Sequence, residues 1–78
     1  MSDVGAISVN LAKYIKQKRA EINMTQEQLA SVAQIDYKHI QNLESFKKKN
    51  DPKISTIIKL SKALNIPVID MIQAILNS

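Results

Sequence analysis

Apolar residues recur at intervals of three or four along most of the chain, the spacing at which they share one face of an α-helix. This pattern predicts five helices, at about residues 8–22, 25–33, 37–45, 54–64 and 68–76. No such period is visible before residue 8, so we expect residues 1–7 to form a flexible tail and residues 8–78 a single domain. Glycine occurs once and proline twice, whereas helix-forming residue types are frequent, so the chain should be all-α.

Several residue types mark the expected ends of these helices. Thr25 and Gln28 have the spacing of a capping box, in which each side chain accepts a hydrogen bond from the other residue's backbone N–H. Asp36 is expected to cap the third helix, and either Asp51 or Lys53 the fourth. The side chains expected to face the core are Leu11, Ile15, Ile22, Leu29, Ala30, Ala33, Ile40, Leu43, Ile54, Ile57, Ile58, Ser61 and Leu64.

The third predicted helix separates apolar from polar side chains most clearly. At about 100° per residue, Ile40 and Leu43 lie on one side and His39 at a flank. The opposite side carries four polar residues, Tyr37, Lys38, Gln41 and Asn42. Asn and Gln can pair with adenine, Lys can donate to guanine, and Tyr can contact a phosphate or a thymine methyl group. Any surface helix also has a polar outer face, so this pattern alone leaves both interpretations open.

The positive charge is concentrated in the middle of the chain. The formal net charge is +4, and residues 13–62 hold all eleven Lys and Arg against five acidic residues. Residues 63–78 carry only Asp70 as a charged side chain. A basic body with a nearly uncharged C-terminal end suggests two different contact surfaces, although a solvated basic exterior would give the same composition.

The composition also argues against several other classes of protein. The chain has no cysteine, so disulfides and thiolate metal sites are excluded, which fits a reducing, cytoplasmic location. We expect no signal peptide and no membrane span, because no long apolar run is present. His39 is the only histidine and no glycine-rich phosphate loop occurs, so we expect no enzyme, cofactor, metal or small-molecule effector.

Four segments, taken in order, resemble the phage repressor and Cro-like helix-turn-helix family, also called the XRE family. They are LAKYIKQKR (11–19), MTQEQLA (24–30), IDYKHIQNLE (35–44) and PKISTIIKLSKALNI (52–66). The resemblance covers about residues 11–76. It implies a five-helix, lambda-repressor-like DNA-binding domain whose helix-turn-helix is formed by the second and third predicted helices.

The resemblance implies a role for individual residues of this motif. The groove-reading positions would be the outward residues of the third helix described above. A phosphate contact would come from Gln26, where free backbone N–H groups also favour an anion. The loop after the third helix lies next to this predicted recognition helix, so we also expect phosphate contacts from Ser45, Lys47, Lys48 and Lys49, although three consecutive lysines are often simply solvated. Arg19 and Glu44 would form a partly buried ion pair between the first and third helices.

Two positions depart from the family's pattern. The family commonly has Gly or Asn where this chain has Gln34, so either Gln34 adopts a strained left-handed backbone or the turn differs. After Glu44 the family usually has a Gly and a shorter loop, whereas this chain has Phe46 and three lysines. We expect Phe46 to fold back onto the core.

The fifth predicted helix has more apolar positions than one face can hold. Val68, Ile72 and Ile75 form one stripe, and further apolar residues lie beyond it. Monomers rarely expose such a patch, so we expect a homodimer interface containing Ile69, Met71, Ile72 and Leu76. Such a dimer, which the family also commonly builds here, would place two recognition helices in successive major grooves, about 34–36 Å apart, of a palindromic site. The alternative is a helix that the core covers completely.

These observations predict a sequence-specific transcriptional regulator that binds double-stranded DNA as a homodimer and acts by blocking or recruiting polymerase. The main alternative is a protein-interaction module, such as an antitoxin or adaptor, whose third helix grips an acidic partner. DNA affinity that depends on sequence and falls steeply with salt would favour the regulator. The sequence does not distinguish a phage repressor, a restriction-modification controller and an antitoxin.

Overall fold

The computed structural model describes residues 4–47 and 51–77, and these residues form five α-helices and no strand. The helices are α1 (Val4–Glu21), α2 (Gln26–Ala33), α3 (Tyr37–Leu43), α4 (Ile54–Ala63) and α5 (Val68–Asn77). The prediction of an all-α chain is therefore confirmed. α1 packs against α5, α2 against α3 and α4, and α4 against α5.

The first helix differs from the prediction at both ends. α1 begins at Val4, so residues 4–7 are helical and do not belong to the predicted tail. The reason is that Ile7 lies one turn before Leu11 and packs against the core, while Ser8 is buried. At the other end, Ile22 lies beyond the helix and is half-exposed, so its prediction as a core residue is wrong.

Side-chain capping is present at one of the three helix starts for which a cap was predicted. The Thr25 hydroxyl accepts a hydrogen bond from the Gln28 backbone N–H at 3.0 Å, and the Gln28 side-chain oxygen accepts one from the Thr25 N–H at 2.8 Å. The predicted capping box is thus confirmed. Asp36 occupies the N-cap of α3 but makes no side-chain capping hydrogen bond, and Lys53 occupies the N-cap of α4.

One apolar cluster joins all five helices. It contains Leu11, Ile15, Leu29, Ala30, Ala33, Ile40, Leu43, Ile57, Leu60, Leu64, Met71 and Ile75. In α4 the prediction was partly wrong, since Ile54 and Ile58 are exposed and Leu60 is fully buried. Leu60 lies on the same side of α4 as Ile57 and Leu64, and this side packs against the core. Ile54 and Ile58 lie at the edge of the buried side.

The buried face of α5 is also different from the predicted one. Met71 is fully buried and Ile75 nearly so, whereas Val68 is exposed. Met71 belongs to the core of a single chain because α5 packs on both α1 and α4, so its prediction as a dimer-interface residue is wrong. Ile69 and Leu76 are exposed and Ile72 is half-buried. None of the described helices has the length and apolar character needed to cross a bilayer.

Candidate nucleic-acid interface

The third helix is held to the core by one side only. Ile40 and Leu43 are almost completely buried, and their contacts fix the rotation of α3 about its axis. The four predicted base-reading residues share the other side, where Tyr37, Lys38 and Gln41 are exposed and Asn42 is half-buried. The structure therefore brings these four side chains together on one surface, as the predicted readout requires.

His39 occupies the flank of α3 that faces α4. It is exposed and lines a shallow groove together with Asp51, Lys53 and Lys59. This groove is polar and open, and it lies beside the outward face of α3 without being part of it.

The turn between α2 and α3 uses a left-handed residue at Gln34, with φ 57° and ψ 46°. The Ile35 N–H donates to the Ala30 carbonyl at 3.0 Å, and the Gln34 N–H donates to the Ser31 carbonyl. These hydrogen bonds satisfy the last carbonyls of α2 and turn the chain into α3. The chain thus makes this tight turn without glycine. Of the two possibilities that the sequence left open, the structure shows the left-handed backbone at Gln34 and not a different turn.

Replacing Gln34 with glycine is expected to raise the free energy of unfolding by about 1 kcal/mol, because a side chain with a Cβ is disfavoured at positive φ. Urea denaturation of both proteins measures this change. The matched control is Asn23→Gly, since Asn23 has φ 54° but asparagine tolerates this region better. A loss of stability in Gln34→Gly would mean that the Gln34 side chain contributes more than its backbone conformation costs.

The predicted ion pair between Arg19 and Glu44 is present and connects α1 to the end of α3. Arg19 Nε donates to Glu44 Oε2 and Nη2 to Oε1, both at 2.7 Å, which is the bidentate geometry of strong arginine–carboxylate pairs. Arg19 Nη1 also donates to the Met24 carbonyl at 2.8 Å. Glu44 is only 2% exposed, so its charge depends on these donors.

The hydrogen bonds from Arg19 also affect its protonation. The hydrogen bond to Glu44 raises the pKa of Arg19 above its ordinary value, against the opposing effect of burial. Because the pKa is raised, this stabilisation is present at neutral pH, below the ordinary arginine pKa, and on the alkaline side it is lost as the pH rises through the raised value. The pair therefore keeps its charged donor throughout the neutral range.

Gln26, the predicted phosphate contact at the start of α2, is part of the same network. Its Nε2 donates to Glu44 Oε1 at 3.1 Å, and the residue is half-buried. The Glu44 carboxylate thus fixes the position of the amide of Gln26, which is the first residue of α2. Its contact with DNA stays a prediction.

The loop that follows α3 begins with a short turn, in which the Lys47 N–H donates to the Ser45 hydroxyl at 3.2 Å. Lys47 is exposed, whereas the predicted contacts Lys48 and Lys49 lie outside the described residues. Phe46 is 54% exposed and does not fold back onto the core, so that expectation is wrong. Its ring instead meets the Lys16 ammonium group of α1.

Lys16 is the residue of this region that sequence reasoning missed. The helical pattern placed it only on the outer side of the first helix. Its Nζ lies 4.5 Å from the centroid of the Phe46 ring, thirty residues further along the chain. A sequence pattern within one helix cannot predict a contact between residues so far apart. The one feature of the sequence that pointed to this region was Phe46, an unusual residue for the family at this place after Glu44.

A short helix pair joined by a tight turn, with its second helix anchored on one side and polar on the other, defines a helix-turn-helix protein of the DNA-binding class. A family model described as helix-turn-helix matches residues 15–71, which is more than half of the chain. The chain therefore belongs to the XRE family of Cro-like helix-turn-helix proteins, as the resemblance predicted. A search of curated proteins finds no significant match.

Proposed function

We propose that this protein is a transcriptional regulator that binds a palindromic DNA operator as a homodimer and recognises its sequence through α3. The observation that carries the proposal is the division of α3 into a buried side, formed by Ile40 and Leu43, and an outward polar side. A helix anchored in this way can enter the major groove of DNA while its own core contacts are kept.

The outward side chains have the chemistry for reading base edges. Lys38 donates to guanine O6 or N7, and the amides of Gln41 and Asn42 pair with adenine. Tyr37, at the start of α3, contacts a phosphate or a thymine methyl group. Positioning contacts to phosphate come from Gln26, Ser45, Lys47, Lys48 and Lys49, and these contacts carry no sequence information.

An apolar surface formed by Ile54, Ile69, Ile72 and Leu76 supports the homodimer. Ile54, Ile72 and Leu76 line one groove between α4 and α5, and Ile69 lies on the same side of α5. Exposed apolar surface of this kind commonly marks an interface. Three of these four residues lie in residues 63–78, which carry only Asp70 as a charged side chain, so two copies can meet there with less repulsion than the basic region would cause. This interface replaces the predicted one, since Met71 is no longer part of it.

Selection of bound sites from random DNA duplexes tests specificity and palindromy in one experiment. We expect an enriched sequence with two inverted half-sites whose centres are about one helical turn apart. The affinity for the selected duplex should fall steeply as salt increases. Recovery of unenriched sequences would contradict the proposal and favour the alternative of a protein-interaction module.

Replacing Lys38 with alanine should relax the preference at one base pair of each half-site, with a loss of about 1–3 kcal/mol for the preferred base. The change is measured by competition between the selected duplex and its single-base variants. Lys62→Ala is the matched control, because Lys62 is an exposed lysine in the last turn of α4. An unchanged preference in Lys38→Ala would remove Lys38 from the readout.

A further inference from the structure

Phe46 and Lys16 form a contact between the loop after α3 and the middle of α1. The Lys16 ammonium lies 4.5 Å from the centre of the Phe46 ring, within the range of a cation–π interaction. Phe46 is 54% exposed and is not among the apolar residues that pack against the core. An aromatic residue is therefore held at the protein surface beside a cation.

The second cation–π contact of α1 provides a comparison. Lys18 lies 5.3 Å from the Tyr14 ring centroid, and it also pairs with the Glu21 carboxylate at 3.4 Å. Among the described residues, no carboxylate forms an ion pair with Lys16. A carboxylate offsets the charge of a lysine, whereas an aromatic ring attracts the ammonium group and adds no negative charge. No ion pair with a described carboxylate therefore competes with a phosphate for Lys16.

The two lysines also lie on different sides of α1. Lys18 and Tyr14 line a groove whose other wall includes Ala74 of α5. Lys16 instead reaches Phe46, which follows Glu44 by two residues and directly precedes Lys47. The contact thus brings a cation from α1 to the loop that leaves the recognition helix.

We propose that Phe46 is a positioning residue that holds the Lys16 ammonium against this loop, so that α1 supplies an additional contact to the DNA phosphate backbone. The inference rests on the proposed function, because it names a further part of the same interface. The exposed ring restricts the long lysine side chain before DNA binds, which lowers the entropy that binding must remove. Leucine at this position would keep apolar volume but would lose the attraction to the cation.

The salt dependence of binding to the selected duplex tests the phosphate contact. Each phosphate contact contributes about 0.9 to the slope of log K against log salt, so Lys16→Ala should reduce the slope by about 1.8 for a dimer. Lys18→Ala is the matched control and should leave the slope unchanged, because Lys18 is paired on the other side of α1. An unchanged slope in Lys16→Ala would overturn the proposal.

A double-mutant cycle tests the role of Phe46. Phe46→Leu should weaken binding by about two- to fivefold for each subunit, and Phe46→Tyr should retain the affinity of the parent protein. In the Lys16→Ala background, Phe46→Leu should have no further effect. A full additional loss in that background would show that Phe46 acts independently of Lys16 and would overturn its positioning role.

Failure of this inference is distinguishable from failure of the proposed function. If the parent protein selects no DNA sequence and binds without steep salt dependence, the proposed function is wrong, and the inference that rests on it is wrong as well. If the parent protein binds its selected site and Lys16→Ala keeps the same slope, only the inference about Lys16 and Phe46 is wrong. All variants change exposed or half-exposed side chains, and urea denaturation confirms that each one is folded.

Discussion

Replacing Glu44 with alanine is expected to lower the free energy of unfolding by about 3–5 kcal/mol, because it leaves the partly buried Arg19 guanidinium without its carboxylate partner. A domain of this size has a total stability of only about 5–15 kcal/mol, so this loss is a large fraction of the total and should clearly lower the midpoint of thermal denaturation. The Gln26 amide also loses its acceptor. Urea and thermal denaturation, followed by circular dichroism, measure the change.

Two variants separate the effect of burial from the effect of losing an ion pair. Glu21→Ala removes the carboxylate of the exposed pair with Lys18 and should change stability by less than about 1 kcal/mol. The double variant Arg19→Met, Glu44→Leu removes both charges and should be more stable than Glu44→Ala, because no unpaired charge remains buried. A small effect of Glu44→Ala on the free energy of unfolding would contradict the stabilising role of the Arg19–Glu44 ion pair. It would mean that water solvates the unpaired Arg19 guanidinium.

The features that depend on neighbours in the sequence were predictable. The capping box of Thr25 and Gln28 needs only two residues at a fixed spacing, and both of its hydrogen bonds are present. The buried pair of α3, Ile40 and Leu43, followed from helical periodicity because the polar residues of that helix are so clearly separated from them. The Arg19–Glu44 pair joins distant parts of the chain and was accessible only through the family resemblance.

The features that depend on packing between helices were not predictable. Periodicity gives the apolar stripe of a helix, but its neighbours decide which edge of the stripe is buried. In α5 the contacts with α1 and α4 bury Met71 and leave Val68 exposed, although the sequence favoured the reverse. In α4 the same effect exposes Ile54. Phe46 shows that an apolar residue can find a partner at the surface, in this case the Lys16 cation.

In α5, the residues that stabilise the fold of one chain differ from those proposed to form the contact between two chains. Met71→Ala should destabilise the monomer by about 2–5 kcal/mol, because it removes a fully buried side chain from the core. Ile69, in contrast, is 56% exposed and contributes little to the core. Variants at these two positions, two residues apart on one helix, should therefore have different effects.

Replacing Ile69 with lysine is expected to dissociate the proposed homodimer while the monomer stays folded. Lysine places a charged group in the apolar surface of α4 and α5, and a two-fold dimer would have to bury that charge once in each copy. Joining two binding modules raises avidity by about 10²–10⁴-fold, so affinity for the palindromic duplex should fall by a factor in this range. Sedimentation measures the oligomeric state, and titration with the selected duplex measures the affinity.

The matched control for this variant is Val32→Lys, which adds the same charge at an exposed apolar position of α2, outside the proposed interface. It should leave the oligomeric state unchanged. Affinity for an isolated half-site should be the same in Ile69→Lys and in the parent protein, because α3 and its outward side chains are not altered. A stable dimer of Ile69→Lys would place the interface elsewhere, and a monomeric parent protein that still selects a palindrome would mean that two chains meet only on DNA.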